Sequence, residues 1–125
     1  MKKALEESLY KKIGTEMIAK IISDFYEQAF VDPIIGHFFF NKDQQSLILK
    51  QINFTEALLG ADTMYLGQPL LKVHKELAIR RPHFMRRQLL MQQVMQKYGL
   101  EANLVLAWLE KENQLQSLIL PKKAN

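Results

Sequence analysis

Apolar residues in this chain recur at spacings of three and four, and no segment alternates at a spacing of two. A helix turns by about 100° per residue, so such spacing gathers apolar side chains into one stripe per helix. A strand would need alternation to hide one face, and none is offered. The pattern therefore predicts an all-α fold. The clearest case is the segment opening at Thr15, where Ile18, Ile22, Phe25 and Ala29 stand at i, i+4, i+7 and i+11, with Ile21, Tyr26 and Phe30 alongside.

Six helices of unequal length follow from the punctuation. The first covers Lys2 to Lys12 and stops at Gly14. Thr15 is expected to cap the second by accepting a backbone N–H. "VDP" ends that helix, since the residue before Pro33 is pushed out of helical geometry. "IIGHFFF" is a compact linker carrying three consecutive aromatics. A third helix spans Asp43 to Leu59, and "GADTMYLGQP" is a loop punctuated by Gly60, Gly67 and Pro69. A short helix from Pro69 to Ile79 follows. Pro82 opens the fifth, which runs to Tyr98 before Gly99, and the last spans Glu101 to Leu120. Residues 121–125, "PKKAN", are a tail. At 125 residues, with no repeat and no low-complexity stretch, the whole of 1–125 is expected to be a single domain. The irregular links do not suit a simple up-and-down bundle.

Bulk properties exclude several classes. With no cysteine, a disulfide framework, thiolate metal sites, thiol catalysis and covalent haem attachment through C-x-x-C-H all fall away. No apolar run is long enough for a signal peptide or a bilayer span, so a cytoplasmic protein without a membrane role is expected. The net charge of +4 is spread as pairs, such as Arg80-Arg81 and Arg86-Arg87, rather than as a block. A nucleic-acid binder concentrates its charge and interleaves stacking aromatics, so solvated surface is the reading of this excess.

More is learned where apolar stripes are interrupted. Leu70, His74 and Leu77 share one helical face. Gln51 shares one with Leu47, Phe54 and Leu58, and Arg87 with Phe84, Met91, Val94 and Tyr98, while Tyr26 falls between Ile22 and Phe30. An unpartnered buried polar group costs about 1–3 kcal/mol, so four in one small domain must satisfy each other, reach water or meet a ligand. Each alone has a plain explanation. A core histidine is commonly just hydrogen-bonded, a buried tyrosine parks its hydroxyl on a carbonyl, and an arginine can reach water along its stem.

Taken together, order and spacing carry a resemblance. "DFYEQAFVDPIIGHFF", then "FTEALLGADTMYLGQPLLKVHKELAI", then "HF" resembles the truncated haemoglobins, the short globins of bacteria, protists and plants, over about Leu9 to Ile119. The block from Leu58 to Ile79 with the downstream His83-Phe84 is the most specific part. Tyr26, Phe39 and Gln51 favour the group I branch. The resemblance implies a two-over-two helical sandwich around one non-covalently held haem b.

It also implies roles. His74 matches the proximal histidine, the axial ligand to iron, a role suited to a neutral imidazole in a chain without thiolates. Tyr26 and Gln51 match the pair that would act on a bound gas by donating hydrogen bonds, and both are the candidate catalytic residues. Phe39 matches the phenylalanine that packs against the porphyrin, with Phe38 beside it, and Leu47 and Gln51 match the two distal positions on the third helix. Leu70, Val73, Ile79 and Phe84 are expected to line the haem. Tyr65, Lys72 and Arg80 are candidates for its propionates. His37 and His83 match no ligand position and are read as surface or second-layer residues.

The pattern is broken in three places. The family's two Gly-Gly turns appear as Gly14-Thr15 and Gly60-Ala61, and the first helix is short. Arg87 stands where the family has an apolar residue or tryptophan, from which it could reach a propionate, pair with an anionic ligand or turn to solvent. Trp108, on the last helix, is not a substitute for that tryptophan.

Three functions follow. The leading one is a ferrous haem protein that binds O₂, with NO and CO as further ligands, and oxidises nitric oxide to nitrate. No flavin or nicotinamide motif is present, so a separate electron-donating reductase would be its partner. The second is a non-enzymatic oxygen or nitric oxide carrier, store or sensor, and the third a haem-free globin-like interaction domain.

Overall fold

The computed structural model describes residues 8–60 and 79–116. Five α-helices lie in them: α1 (Leu9–Ile13), α2 (Thr15–Phe30), α3 (Gln44–Leu58), α4 (Arg81–Lys97) and α5 (Ala102–Asn113). A 3₁₀ turn, Gly36–Phe39, links α2 to α3. No strand occurs among the described residues, as the periodicity requires.

Two helix pairs make the architecture. α3 packs on α2, and α4 packs on α5, and the pairs are joined through the α2–α4 contact. The core sits where they meet. α2 contributes Ile18, Ile21, Ile22, Phe25 and Ala29, α4 contributes Leu90, Met91, Val94 and Met95, and α5 contributes Val105 and Trp108. Ion pairs close both ends of α4 against α2. Near its start, Arg86 meets Asp32 just past the end of α2, and at its last residue Lys97 Nζ lies 2.8 Å from Asp24 Oδ2. Tyr98 and Gln28 also donate to Asp24.

Several boundaries differ from expectation for local reasons. Within the described residues α1 begins only at Leu9, because the Ser8 hydroxyl accepts the Lys11 N–H and caps the helix there. Thr15 is not a cap. It is the first residue of α2, Gly14 takes the cap position at φ +92°, and the Thr15 hydroxyl donates to Glu56 on α3 instead. α3 is capped by Asp43, read from sequence only as its first residue, which accepts from the Ser46 N–H at 2.9 Å. α5 stops at Asn113 rather than Leu120, where the chain tightens into a turn with Leu115 N–H donating to Glu112 C=O.

Candidate functional site

The site begins on α2. Ile22, Phe25, Tyr26 and Ala29 all face inward, and Tyr26 keeps only 6% of its surface. Its ring stands edge-on to Phe25 at 4.8 Å between centroids and edge-on to Phe39 at 5.7 Å. Phe39 in turn stacks on Phe30 at 4.9 Å. The 3₁₀ turn folds back here because Asp32 accepts the N–H groups of Ile34 and Ile35 at 3.0 and 3.1 Å, while Gly36 leaves room for the Phe30 carbonyl. A Cβ on Gly36 would lie 2.9 Å from that oxygen. Two of the predicted residues, Tyr26 and Phe39, are thus brought together directly.

Leu47 and Gln51 stand on α3, which packs on the helix that carries Tyr26. The stripe expected to be core here is placed differently. Leu47, Gln51, Phe54 and Leu58 are half-buried, whereas the deepest residues are Ile48 and Thr55 on α3, with Leu59 just after it. One face of α3 therefore feeds the core, and the flank beside it holds apolar side chains around a single amide. Phe84 is 2% exposed, yet it does not belong to the main apolar cluster. Ile79, just before α4, is half-buried. Tyr65, Leu70, Lys72, Val73 and His74 lie outside the described residues.

The polar surroundings of Tyr26 were not foreseen. Arg87 is half-buried and paired with an acid on another helix. Its Nη1 donates to Glu112 Oε1 at 2.7 Å and its Nη2 to Glu112 Oε2 at 3.3 Å, and the guanidinium carbon lies 5.0 Å from the Phe25 ring centroid. Trp108, fully buried, donates its indole N–H to Glu112 Oε2 at 3.0 Å. Burial pushes the Tyr26 phenol above its ordinary value, and the nearby Arg87 charge only partly offsets that. Near neutrality the phenol keeps its proton and can donate. Burial works against the Arg87 charge, but Glu112 and Tyr26 outweigh it and hold the guanidinium firmly ionised.

Glu112 is the residue that sequence reasoning missed. The signal existed: Val105, Trp108 and Glu112 share one face of α5, so an acid sits on an inward stripe opposite an inward arginine. Asp32 was likewise read only as part of a helix stop, although it is 8% exposed and paired. Of the histidines, His37 is exposed and packs on Phe38, and His83 accepts the Arg80 N–H at 3.0 Å at the start of α4. Arg80 itself is exposed.

Comparison with known proteins now decides the family. The sequence model for the bacterial-like globins matches residues 8–120. The chain belongs to that family. Among relatives, this globin is 30% identical over 79 residues to a group 1 truncated hemoglobin of Tetrahymena pyriformis, a match covering 62% of this chain and 65% of that one. It is 32% identical over 84 residues to one from Mycolicibacterium paratuberculosis, covering 66% and 62%. The chain thus spans just under two thirds of the length of the curated relatives it matches. Both relatives are named group 1 truncated hemoglobins.

The fold agrees. The Fe(III) form of the Tetrahymena pyriformis truncated hemoglobin superposes with a TM-score of 0.85 at 21% identity, over 93% of this chain and all of the other. The 2/2 hemoglobin of Synechococcus sp. PCC 7002, in its cyanomet state with covalently attached heme, gives 0.74 at 19% identity over 90% of each. Family membership supports haem-based binding of diatomic gases in general terms. No helix among the described residues is long and apolar enough to cross a membrane.

Proposed function

We propose that this globin holds one non-covalent haem b, binds O₂ and other diatomic gases at its ferrous iron, and oxidises nitric oxide to nitrate in the cytoplasm. Among the described residues the observation that carries the reading is Tyr26: a protonated phenol, almost wholly buried, edge-on to Phe39 and on a helix that packs against α3. The described residues suit a flat apolar group. Phe39 and Leu47 pack against the core on one side and keep accessible apolar surface on the other. Among the described residues no group of three or more His, Cys, Asp or Glu could hold a metal ion. His74, which the resemblance implies as the axial ligand and which lies outside the described residues, is the residue we assign to the iron, a role suited to a neutral imidazole.

Haem, when bound, supplies a ferrous centre that takes up a gas molecule and delivers electron density to it. The chain's own residues do the rest. Phe39 and Leu47, with Leu70, Val73, Ile79 and Phe84, would pack the porphyrin and exclude water. Tyr65 and Lys72 would meet its propionates. The Tyr26 hydroxyl and the Gln51 amide would donate hydrogen bonds to a gas that has acquired negative charge, and would do little for neutral carbon monoxide. Leu47 leaves that side without an imidazole. Repeated turnover consumes one electron per nitric oxide oxidised, which a separate reductase would return.

Absorption spectra of the ferric, ferrous and carbonmonoxy forms test haem binding. A Soret band is expected, and His74→Ala is expected to remove or severely weaken axial ligation. Rapid mixing of the oxygenated protein with nitric oxide is expected to yield stoichiometric nitrate. Slow or absent nitrate would reduce the reading to reversible gas binding, and no Soret band after haem is offered would end it.

A further inference from the structure

The Tyr26 phenol can donate only along directions that its ring plane allows. Its O–H lies in that plane, because the oxygen conjugates with the ring. The plane itself is set by the second side-chain torsion, whose minima are broad, so neighbouring groups must choose it. Tyr26 has two edge-on neighbours, Phe25 at an interplanar angle of 88° and Phe39 at 85°. Phe25 adjoins it on α2. Among the described residues, then, Phe39 is the aromatic partner that brings orientation from outside the helix, and it is itself stacked on Phe30.

Phe39 is delivered by a segment that α4 grips at both ends. At one end Arg86 Nη2 lies 2.6 Å from Asp32 Oδ1, while the same carboxylate accepts the Ile34 and Ile35 N–H groups. The Asp32 carbonyl accepts the Gly36 N–H at 2.8 Å and so leads the chain into the 3₁₀ turn. At the other end the His83 ring stands edge-on to Phe38, with 4.9 Å between centroids. His83 and Arg86 are three residues apart and share one face of α4. The first grip is specific. Asp32 is the sole acid from Val31 to Lys42, α4 contains none, and Arg87 and Lys97 of α4 are engaged by Glu112 and Asp24. The Asp32 side chain is 4% exposed against 29% for Arg86, so the acid is the fixed end and the arginine reaches it from the rim. We propose that Arg86, with His83 beside it, is a positioning residue: by clamping the segment from Asp32 to Phe39 it seats Phe39 against Tyr26 and fixes the plane in which the phenol donates to the gas. The inference rests on the haem reading above and names what orients that site's donor. Arg86 touches neither gas nor iron.

The test uses the haem-loaded protein. The informative variant is Asp32→Asn/Arg86→Met, in which the amide oxygen still accepts the backbone N–H groups while the tie to α4 is lost. Arg86→Lys keeps the charge but loses the two-pronged grip. In the double variant the Soret band should persist. O₂ dissociation should speed up roughly two- to tenfold, the range that an aromatic edge contact can supply. Dissociation of CO should change little, and the infrared C–O stretch of the carbonmonoxy form should shift and broaden as the hydroxyl loses its fixed direction. In a Tyr26→Phe background the same double change should alter neither the O₂ off-rate nor the stretch. Arg86→Lys should fall between the double variant and the native protein. An O₂ off-rate and C–O stretch unmoved by the double variant, but moved by Tyr26→Phe, would overturn the inference and leave the haem reading standing. Equal effects with and without the tyrosine hydroxyl, or a matched rise for both gases, would also overturn it. A native protein without a Soret band would overturn both.

Discussion

Asp32 and Arg86, 54 residues apart, are joined by a two-oxygen ion pair: Arg86 Nη2 lies 2.6 Å from Asp32 Oδ1, and Nε lies 3.1 and 3.3 Å from Oδ1 and Oδ2. The carboxylate also accepts two backbone N–H bonds that shape the 3₁₀ turn and so aim Phe39. Asp32→Ala removes all of these acceptors and is expected to cost about 2 kcal/mol, from bonds to a charged group. Arg86→Ala should cost less, because the backbone donors still satisfy the carboxylate and the arginine side chain is already 29% exposed. Denaturant melts of the two variants check the order.

The same carboxylate sets an acid limb. The Arg86 hydrogen bonds, helped by the Ile34 and Ile35 N–H groups, hold Asp32 below the usual carboxylate value despite burial. A depressed pKa contributes stability that is present above the unfolded value, about 3.9, and is lost as pH falls through the folded one. Stability of the native protein should therefore drop more steeply below about pH 4 than that of Asp32→Asn. Parallel acid limbs would remove Asp32 from the account.

The Tyr26 phenol and the Gln51 amide make a prediction about ligand selection. Tyr26→Phe should leave the haem in place, speed O₂ dissociation by roughly ten- to a hundredfold, and change CO dissociation little, as expected for loss of a hydrogen bond to a charged partner. Gln51→Leu should act in the same sense. Laser photolysis with CO and stopped-flow O₂ displacement read the two rates. A matched rise for both gases would point to a loosened pocket instead of a lost donor.

Breaking the Arg87–Glu112 pair on one side should hurt more than removing both charges. Glu112→Ala leaves a guanidinium with no counter-charge and Trp108 with no acceptor, and should cost about 3 kcal/mol. Arg87→Met/Glu112→Gln removes both charges and should cost clearly less. Melting curves of Arg87→Met, Glu112→Gln and the double variant together close the cycle and give the coupling.

Much of the fold was legible because it depends on spacing alone. The α2 stripe of Ile18, Ile22, Phe25 and Ala29 is buried as its periodicity demands. What failed were features decided by partners distant in sequence. Thr15 has the chemistry of a cap, but a nearby glutamate on α3 takes its hydroxyl. The Leu47, Gln51 and Phe54 stripe reads as core, but the packing of α3 on α2 buries Ile48 and Thr55 deepest and leaves that stripe as a flank. At the site, Tyr26 and Phe39 came from the resemblance and meet in space. Arg87 was singled out as a departure, yet its counter-ion could be found only by asking which acid on another helix also faces inward.

Gly14 and Gly60 separate strain from collision. Both have backbone that side-chain-bearing residues rarely adopt, at φ +92° and +116°. A Cβ on Gly14 would meet nothing within 4 Å, so Gly14→Ala should cost only the strain, roughly 1–3 kcal/mol. A Cβ on Gly60 would stand 2.7 Å from the Ser8 Cβ. Ser8 caps α1, and the neighbouring Tyr10 N–H donates to the Leu59 carbonyl at 2.9 Å, so the turn and the start of α1 are tied together. Gly60→Ala should therefore cost more than Gly14→Ala by about 1 kcal/mol, the worth of a displaced cap. Pairing it with Ser8→Gly, which removes the colliding Cβ, should recover part of the difference in a thermal melt. No recovery would mean that the backbone angle alone decides this turn.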